Sequence, residues 1–296
     1  MPIRILSLPV ADLQYALNCM DTWDLVAFSL CSKRTKNLVK FTVRKIKKIE
    51  ANVYDCRICL TVQAFQTIQN FVFIGIHDSC ITLDFGKGTE LWRKQGFTQR
   101  NWIPHFLDIF HESKIHSLVI MNVRLWDMDT VKQCIPKCQT LRIRENCYIK
   151  FENIEFLQLC SIAENAEIEK NIFTNENHIS KFLNLNLRSV HLSDWDNPFK
   201  LELNDLLTAN SINITIQTAN IRENELNRYL KLWMKGNNIF NRPSYMKLSL
   251  IHEIDRDEVL RGIKYQIVDN ECSLNRADGK KLSISIQRNS VDFEFQ

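Results

Sequence analysis

Cysteine and histidine are the residues of this chain whose types and spacing could support chemistry. Cys56-x-x-Cys59 is followed by His77-x-x-Cys80, two ligand pairs at a separation a zinc ion could use. Zinc takes four nitrogen or sulfur ligands in a tetrahedron. Ile58, Leu60 and Val62, however, carry an alternating apolar pattern through the first pair. Residues three apart in a strand point to opposite faces, so Cys56 and Cys59 would converge only across a turn. The expectation is therefore packed cysteines, with no metal and no cofactor. Cys134 and Cys138 straddle Pro136 and read as core or turn residues. A nucleophilic thiol needs a base beside it. His105, His111 and His116 cluster around one helical stretch, but nothing ties them to a particular thiol. No catalytic residue is assigned, and the chain is not expected to be an enzyme.

Phosphate chemistry fares no better. Gly86-Lys-Gly88 lacks the upstream glycine and the following Ser or Thr of a phosphate loop, and the chain has only 7 glycines. The basic run Arg44-Lys-Ile-Lys-Lys48, with Lys33, Arg34, Lys36 and Lys40, could meet a nucleic-acid backbone. It reads equally as the solvated side of an amphipathic helix, and no aromatic platform is interleaved with it. Asp127-Met-Asp129 and Asp194-Trp-Asp196 read as acidic loops.

The elements that would position these residues sit in a chain of ordinary globular composition. It has 296 residues, 45% hydrophobic and 24% charged, with a formal charge of +4. That length allows one large domain or a small module followed by a medium one. The longest purely apolar run, Phe71–Ile76, falls far short of the ~20 residues that span a bilayer. The opening MPIRILSLPVADLQ lacks the apolar centre of a signal peptide. The expected location is intracellular, in cytoplasm or nucleus, where the ten cysteines would stay reduced.

The first stretch reads as three short helices. Pro9 can open the first, with Val10, Leu13, Leu17 and Met20 along one face. Asp21 is placed to cap a second that carries Leu25, Val26, Phe28, Leu30 and Cys31. Ser32 can cap a third carrying Leu38, Val39, Val43 and Ile46 among basic residues. Such a unit has too little core to stand alone and should cover its leftover apolar surface with a partner or the next domain.

Leu8-Pro9, Leu13, Leu17, Met20, Leu25, Phe28, Ser29-Leu-Cys31 and Ser32-Lys-Arg34-Thr-Lys36 resemble an F-box, and the run Phe28–Val39 is similar to that of a large nematode family. F-boxes bind a Skp-type adaptor, which in turn contacts a cullin scaffold. The resemblance implies that Leu8, Pro9, Leu13, Leu17, Leu25 and Phe28 supply much of the adaptor contact. Trp23 departs from the pattern and receives no role.

Beyond the module, apolar triplets recur in a leucine-rich-repeat-like way. Cys138-Gln-Thr-Leu141-Arg-Ile143-Arg-Glu-Asn146 fits the template in full, with Asn146 placed to bond the turn. Ile115–Ile120, Ile154–Leu159, Leu187–Leu192, Ala209–Ile214 and Tyr245–Leu250 fit its apolar part at uneven intervals. Ile58–Val62, Phe71–Ile76 and Ile81–Phe85 read as strands before them. Helices are expected at Trp102–Phe110, Trp126–Ile135, Ile179–Leu183 and Asp257–Ile263. A further one follows Asn220, with Glu223 completing a capping box, and stops at Gly236. The expected fold class is α/β: an N-terminal three-helix module over 1–48, then an irregular, curved parallel-sheet domain over 49–296. Leu226–Gly236, Glu258–Gln266 and Asn275–Lys280 also resemble the type 2 F-box-associated domain of the same nematode family. Together the resemblances imply a substrate-recognition adaptor of an SCF-type ubiquitin ligase, holding an unknown target protein, with neither nucleic acid nor membrane as partner. The alternative is an F-box interaction protein outside ubiquitin transfer, sensing a cellular or foreign ligand. A zinc or nucleic-acid module is the remaining possibility.

Overall fold

The chain opens with three short helices, two of them capped by a side chain that meets a free N–H group. The computed structural model describes residues 5–42, 46–55, 57–64, 68–74, 80–84, 89–123, 128–145, 147, 154–236, 243–268 and 271–296. Pro9 precedes α1 (Val10–Cys19). The Asp21 carboxylate accepts the Asp24 N–H at 2.9 Å and opens α2 (Thr22–Cys31). The Ser32 hydroxyl accepts the Thr35 N–H at 3.1 Å, while Thr35 Oγ1 accepts the Ser32 N–H at 2.9 Å. That reciprocal cap opens α3 (Lys33–Lys40). The third helix was expected to run on through Val43 to Ile46, and this is corrected. It stops at Lys40, and Ile46 opens a strand whose Ile49, Ala51 and Val53 are buried at a period of two. Lys47 and Lys48 therefore lie on a strand, not a helix, and Val43 and Arg44 fall outside the described residues.

The chain divides into two compact units, Met1–Gln139 and Thr140–Gln296. In the first, β1 (Ile46–Asp55) pairs antiparallel with β2 (Arg57–Ala64) and parallel with β6 (Ile115–Val123). β3 (Ile68–Ile74), β4 (Cys80–Asp84) and β5 (Thr89–Arg93) extend β2 as an antiparallel meander. The expected strands at 58–62, 71–76 and 81–85 fall on β2, β3 and β4, apart from their last residues in the latter two cases. α4 (Gln99–Ile109) carries a buried stripe of Trp102, Ile103, Phe106 and Leu107. α5 (Met128–Cys134) follows, and the unit boundary falls within β7 (Cys138–Ile143).

In the second unit, β8 (Ala163–Ile168), β9 (Ser189–Leu192), β11 (Asn213–Asn220) and β12 (Tyr245–Leu250) lie side by side and parallel. The short β10 (Phe199–Lys200) pairs with the end of β11. Helices occupy the connections: α6 (Ile154–Cys160), α7 (Glu176–Leu183), α8 (Leu203–Thr208), α9 (Glu223–Met234) and α10 (Arg256–Leu260). Beyond β12 the sheet turns antiparallel through β16 (Ser290–Phe295), β15 (Lys281–Ile286), β14 (Glu271–Asn275) and β13 (Gln266–Val268). The fold is the expected mixed α/β class, N-terminal helices before a sheet that is largely parallel in its repeat region. Asn146 of the full template lies outside the described residues.

Two expectations of detail are corrected. Ile154–Leu159 is helix α6, not a strand, because Phe156, Leu159 and Cys160 are buried at helical spacing while Leu157 is half-buried. The strand of that repeat is β8, just downstream. The cap of α9 is Arg222, not Asn220, since Asn220 still belongs to β11; Glu225 rather than Glu223 receives the capping N–H, at 3.4 Å.

α9 buries Leu226, Tyr229, Leu230 and Trp233 as the spacing predicts, and Gly236 ends it with φ at 75°. Asn227 shows what the polar member of this segment does. Its amide donates to the Val259 and Arg261 carbonyls at 2.8 and 3.0 Å, tying α9 to the end of α10. The Asn275–Lys280 segment is the β14–β15 hairpin. There Arg276 donates to Asp278 through Nε at 2.7 Å and lies over the Trp233 ring, and Gly279 takes φ 89°. Replacing Asn227 by Leu keeps the branched shape but strands two carbonyls. Urea unfolding should show about 1–3 kcal/mol less stability with an unchanged slope. An unaltered midpoint would remove the assigned role of Asn227.

Candidate functional site

The helical module is held in the first unit by α4 together with β5 and the residues flanking that helix. Ser29 Oγ donates to the Val26 carbonyl at 2.6 Å, so its only proton is committed. His105 Nε2, 2.8 Å away, must then donate to Ser29 Oγ. Burial, followed by the positive charges of Lys36 and Lys94, pushes the His105 imidazole down to about 4, and Asp108 opposes the shift. The ring is neutral at physiological pH. The Asp108 carboxylate takes Lys36 Nζ at 2.6 Å and also pairs with Lys40. Those two ammonium groups hold its carboxyl below the usual range. Lys94, which lies over the Phe97 ring, donates to the Leu30 carbonyl, and His111 donates from Nε2 to the Lys40 carbonyl. Trp23 acquires a role here. It is buried in the first turn of α2 and meets Trp92 of β5 edge-on, with ring centroids 6.5 Å apart.

This latch uses one side of the module and leaves another in solvent. Leu13, Leu17 and Leu25 are buried within the unit, Leu8 and Phe28 are half-buried, and Pro9 is exposed. The six residues carried over from the resemblance thus split into three core residues and three with outward surface. Val10 was expected on the apolar face of α1, yet it is 84% exposed, with Tyr15 at 74% and Phe41 at 73%. The sequence reading missed Tyr15 and Phe41. Tyr15 stands between Leu13 and Leu17 of the buried stripe, an aromatic on the wrong face of a short helix, and that was the available signal.

The other chemical candidates resolve differently. Cys59 lies on β2, with Asn52 and Val72 as its cross-strand neighbours. Cys80 begins β4, while Cys56, His77 and the Gly86-Lys-Gly88 segment lie outside the described residues. Among the described residues no cluster of three His, Cys, Asp or Glu is placed to hold a metal ion. Burial pushes the Cys134 thiol up to about 11, which leaves it protonated and a poor nucleophile. The His116 ring accepts the Ile49 N–H at 3.1 Å, a structural bond. Ser29 and His105 cannot act as nucleophile and base, because the ring is the donor and the pair is buried. No described helix is long and apolar enough to cross a membrane.

Helix caps and the order of elements give a small N-terminal helical module with a sheet-based unit downstream. Residues 5–47 match the F-box domain, and residues 178–239 match the domain described as F-box associated. The chain carries an N-terminal F-box and a C-terminal F-box-associated domain. It is similar to the F-box associated domain-containing protein sdz-33 of Caenorhabditis elegans, 24% identical over 310 residues that cover 96% of this chain and 93% of that protein. No solved structure matches it. The F-box-associated match runs from within α7 through α8 and α9 and includes the strands between them. The Glu258–Gln266 and Asn275–Lys280 segments lie beyond it.

The latch has a pH signature. His105 binds its proton near 6.5 when unfolded and near 4 when folded, so acid favours the unfolded chain. Its contribution is complete above about pH 6.5 and is lost as pH falls to about 4. The whole shift is worth roughly 3 kcal/mol. Unfolding free energies of the wild type and His105→Gln, followed across that window, should diverge in slope, with the variant flatter. Parallel profiles would show that His105 is not buried as a neutral ring.

Proposed function

We propose that this protein is the substrate-recognition subunit of an SCF-type ubiquitin ligase. In this reading residues 1–48 bind a Skp-type adaptor that joins a cullin scaffold, and residues 49–296 hold a target protein. The F-box match supports the adaptor contact, and the observation that carries it furthest is the uncovered apolar surface of Val10, Tyr15 and Phe41. Three solvated side chains of that size on one small module favour a partner. Leu8, Pro9 and Phe28 then make direct contact, while Leu13, Leu17 and Leu25 hold the helices that present them. The subunit itself makes no covalent bond and needs no cofactor. Its work is proximity, raising the effective concentration of a target lysine near a charged ubiquitin-conjugating enzyme. The site of action is intracellular, where the scaffold resides.

The test is co-purification of the full chain with a Skp-type adaptor and a cullin. Val10→Asp and Phe28→Glu, singly and together, should weaken adaptor capture by about 30-fold or more, the loss of a hot spot of roughly 2 kcal/mol. The Val10 variant should leave the thermal midpoint unchanged, since its side chain is in water. Undiminished capture by the double variant would defeat the assignment of this face. Adaptor capture without cullin would favour a role outside ubiquitin transfer.

A further inference from the structure

In open α/β sheets, ligands bind in the crevice outside the carboxyl ends of parallel strands. In the second unit the segments leaving β8 and β9 build a cavity of about 200 Å³ there. Its apolar floor is Phe173, Ile179, Pro198 and Phe199, and its polar rim includes Asn171 and Asn197. Phe173 meets Phe182 and Phe199 with ring centroids 5.4 and 6.1 Å apart, so an aromatic row backs the floor.

The loop that forms one wall is fixed by a single buried carboxylate. Asp194 Oδ1 accepts the N–H groups of Asp196 and Asn197, both at 3.0 Å. Its Oδ2 accepts the Asn171 N–H at 2.6 Å and thereby ties the two loops together. The Asn171 amide donates across to the Asn197 and Pro198 carbonyls at 3.2 and 3.3 Å. The Asp194 N–H donates to Thr218 Oγ1 of β11 at 3.2 Å. On this braced loop stands Trp195, 77% exposed, the most exposed tryptophan among those described. A large aromatic held in water on a rigid loop loses little conformational freedom on binding, which is the character of an interface hot spot.

The lining defines what fits. A volume near 200 Å³ lies below the ~300–1,000 Å³ of sites that enclose a whole small molecule, and it suits one side chain. No carboxylate lines the cavity, and Asp194 beside it is already occupied by three N–H groups, so a cationic side chain would lose its water without a partner. Lys200, the single cation of the lining, already has an interaction partner within the chain. The exposed Asn197 amide both donates and accepts, which matches a peptide unit.

We propose that this cavity and Trp195 form the target-recognition site, which takes an extended peptide segment by one uncharged aromatic or large aliphatic side chain. The proposal rests on reading the C-terminal domain as the target-binding part and names the place within it.

The probe is a library of random linear peptides displayed on phage and panned on the immobilised full chain. Selected peptides should share one uncharged aromatic or large aliphatic position, and replacing that residue by Asp should abolish binding. Asn197→Trp, which fills the cavity mouth, should weaken the selected peptides at least about tenfold. Trp195→Ala should weaken them about 5- to 30-fold without altering the melting temperature. A charged consensus, no enrichment over background, or equal binding by both variants would each overturn the proposal. Adaptor co-purification on the same variants separates the two readings. Both should keep the adaptor. A wild-type chain that selects peptides but captures no adaptor would sink the ligase reading alone.

Discussion

Covering the apolar surface of a very small helical module is the constraint from which the N-terminal unit follows. Three helices of ten, ten and eight residues cannot enclose a core among themselves. The chain answers with α4, whose Trp102, Ile103 and Phe106 are almost fully buried, and closes the join with polar bonds of fixed direction. Ser29 has one proton and gives it to Val26, so His105 must donate. That requirement places a proton on Nε2, while burial and the charges of Lys36 and Lys94 keep the ring neutral. Lys36 and Lys40 converge on Asp108 at the solvent edge of the same join, where screening leaves such pairs little energy but where they still set register. One flank of the module is thereby consumed within its own chain. What remains outside includes the solvated apolar side chains Val10, Tyr15 and Phe41.

A different economy governs the C-terminal unit. Each parallel strand is short and buried on alternate residues, as in Val190 and Leu192 of β9 or Met246 and Leu248 of β12. The strands supply only stacking, so loop sequence at their carboxyl ends is released from core duties. Asp194 shows the price of that freedom: without sheet hydrogen bonds, a loop holds its shape only if a side chain takes over the backbone N–H groups. The antiparallel β12–β16 pairing then closes one flank of the repeat strands, with Phe293 fully buried against Tyr229.

How much of this was legible depended on the range of the interactions. Caps are local, and Asp21 and Ser32 were readable because donor and acceptor lie three residues apart. The L-x-L strands and the stripe of α9 were readable because burial repeats with the backbone period. Ile154–Leu159 misled because one sequence satisfied two periods: Leu157 and Leu159 alternate, while Phe156, Leu159 and Cys160 fit a helix, and packing chose the second. β8 was invisible because Ala163–Ile168 contains one large apolar residue and is otherwise small or polar, its edge bonds being made by Arg142 to Glu167. β1 was masked by lysines that the helical reading explained equally well. The latch lay out of reach altogether, since Ser29 and His105 are 76 residues apart and neither is unusual alone. The cavity was hidden for the same reason, its walls coming from two loops that Asp194 and Asn171 tie together.

That contrast bears on how an F-box resemblance is used. The apolar positions that make the resemblance recognisable include Leu13, Leu17 and Leu25, and these are buried inside the free chain. A residue already removed from water gains nothing further by being covered, so its identity is kept by the core and not by a partner. Association can remove from water only surface that is wet beforehand, and on this module Val10, Tyr15 and Phe41 are solvated, with the outward parts of Leu8, Pro9 and Phe28. The positions that are easiest to recognise in this sequence are therefore those that build the platform. Solvated positions are less constrained by folding, and for that reason leave the weaker mark in the sequence.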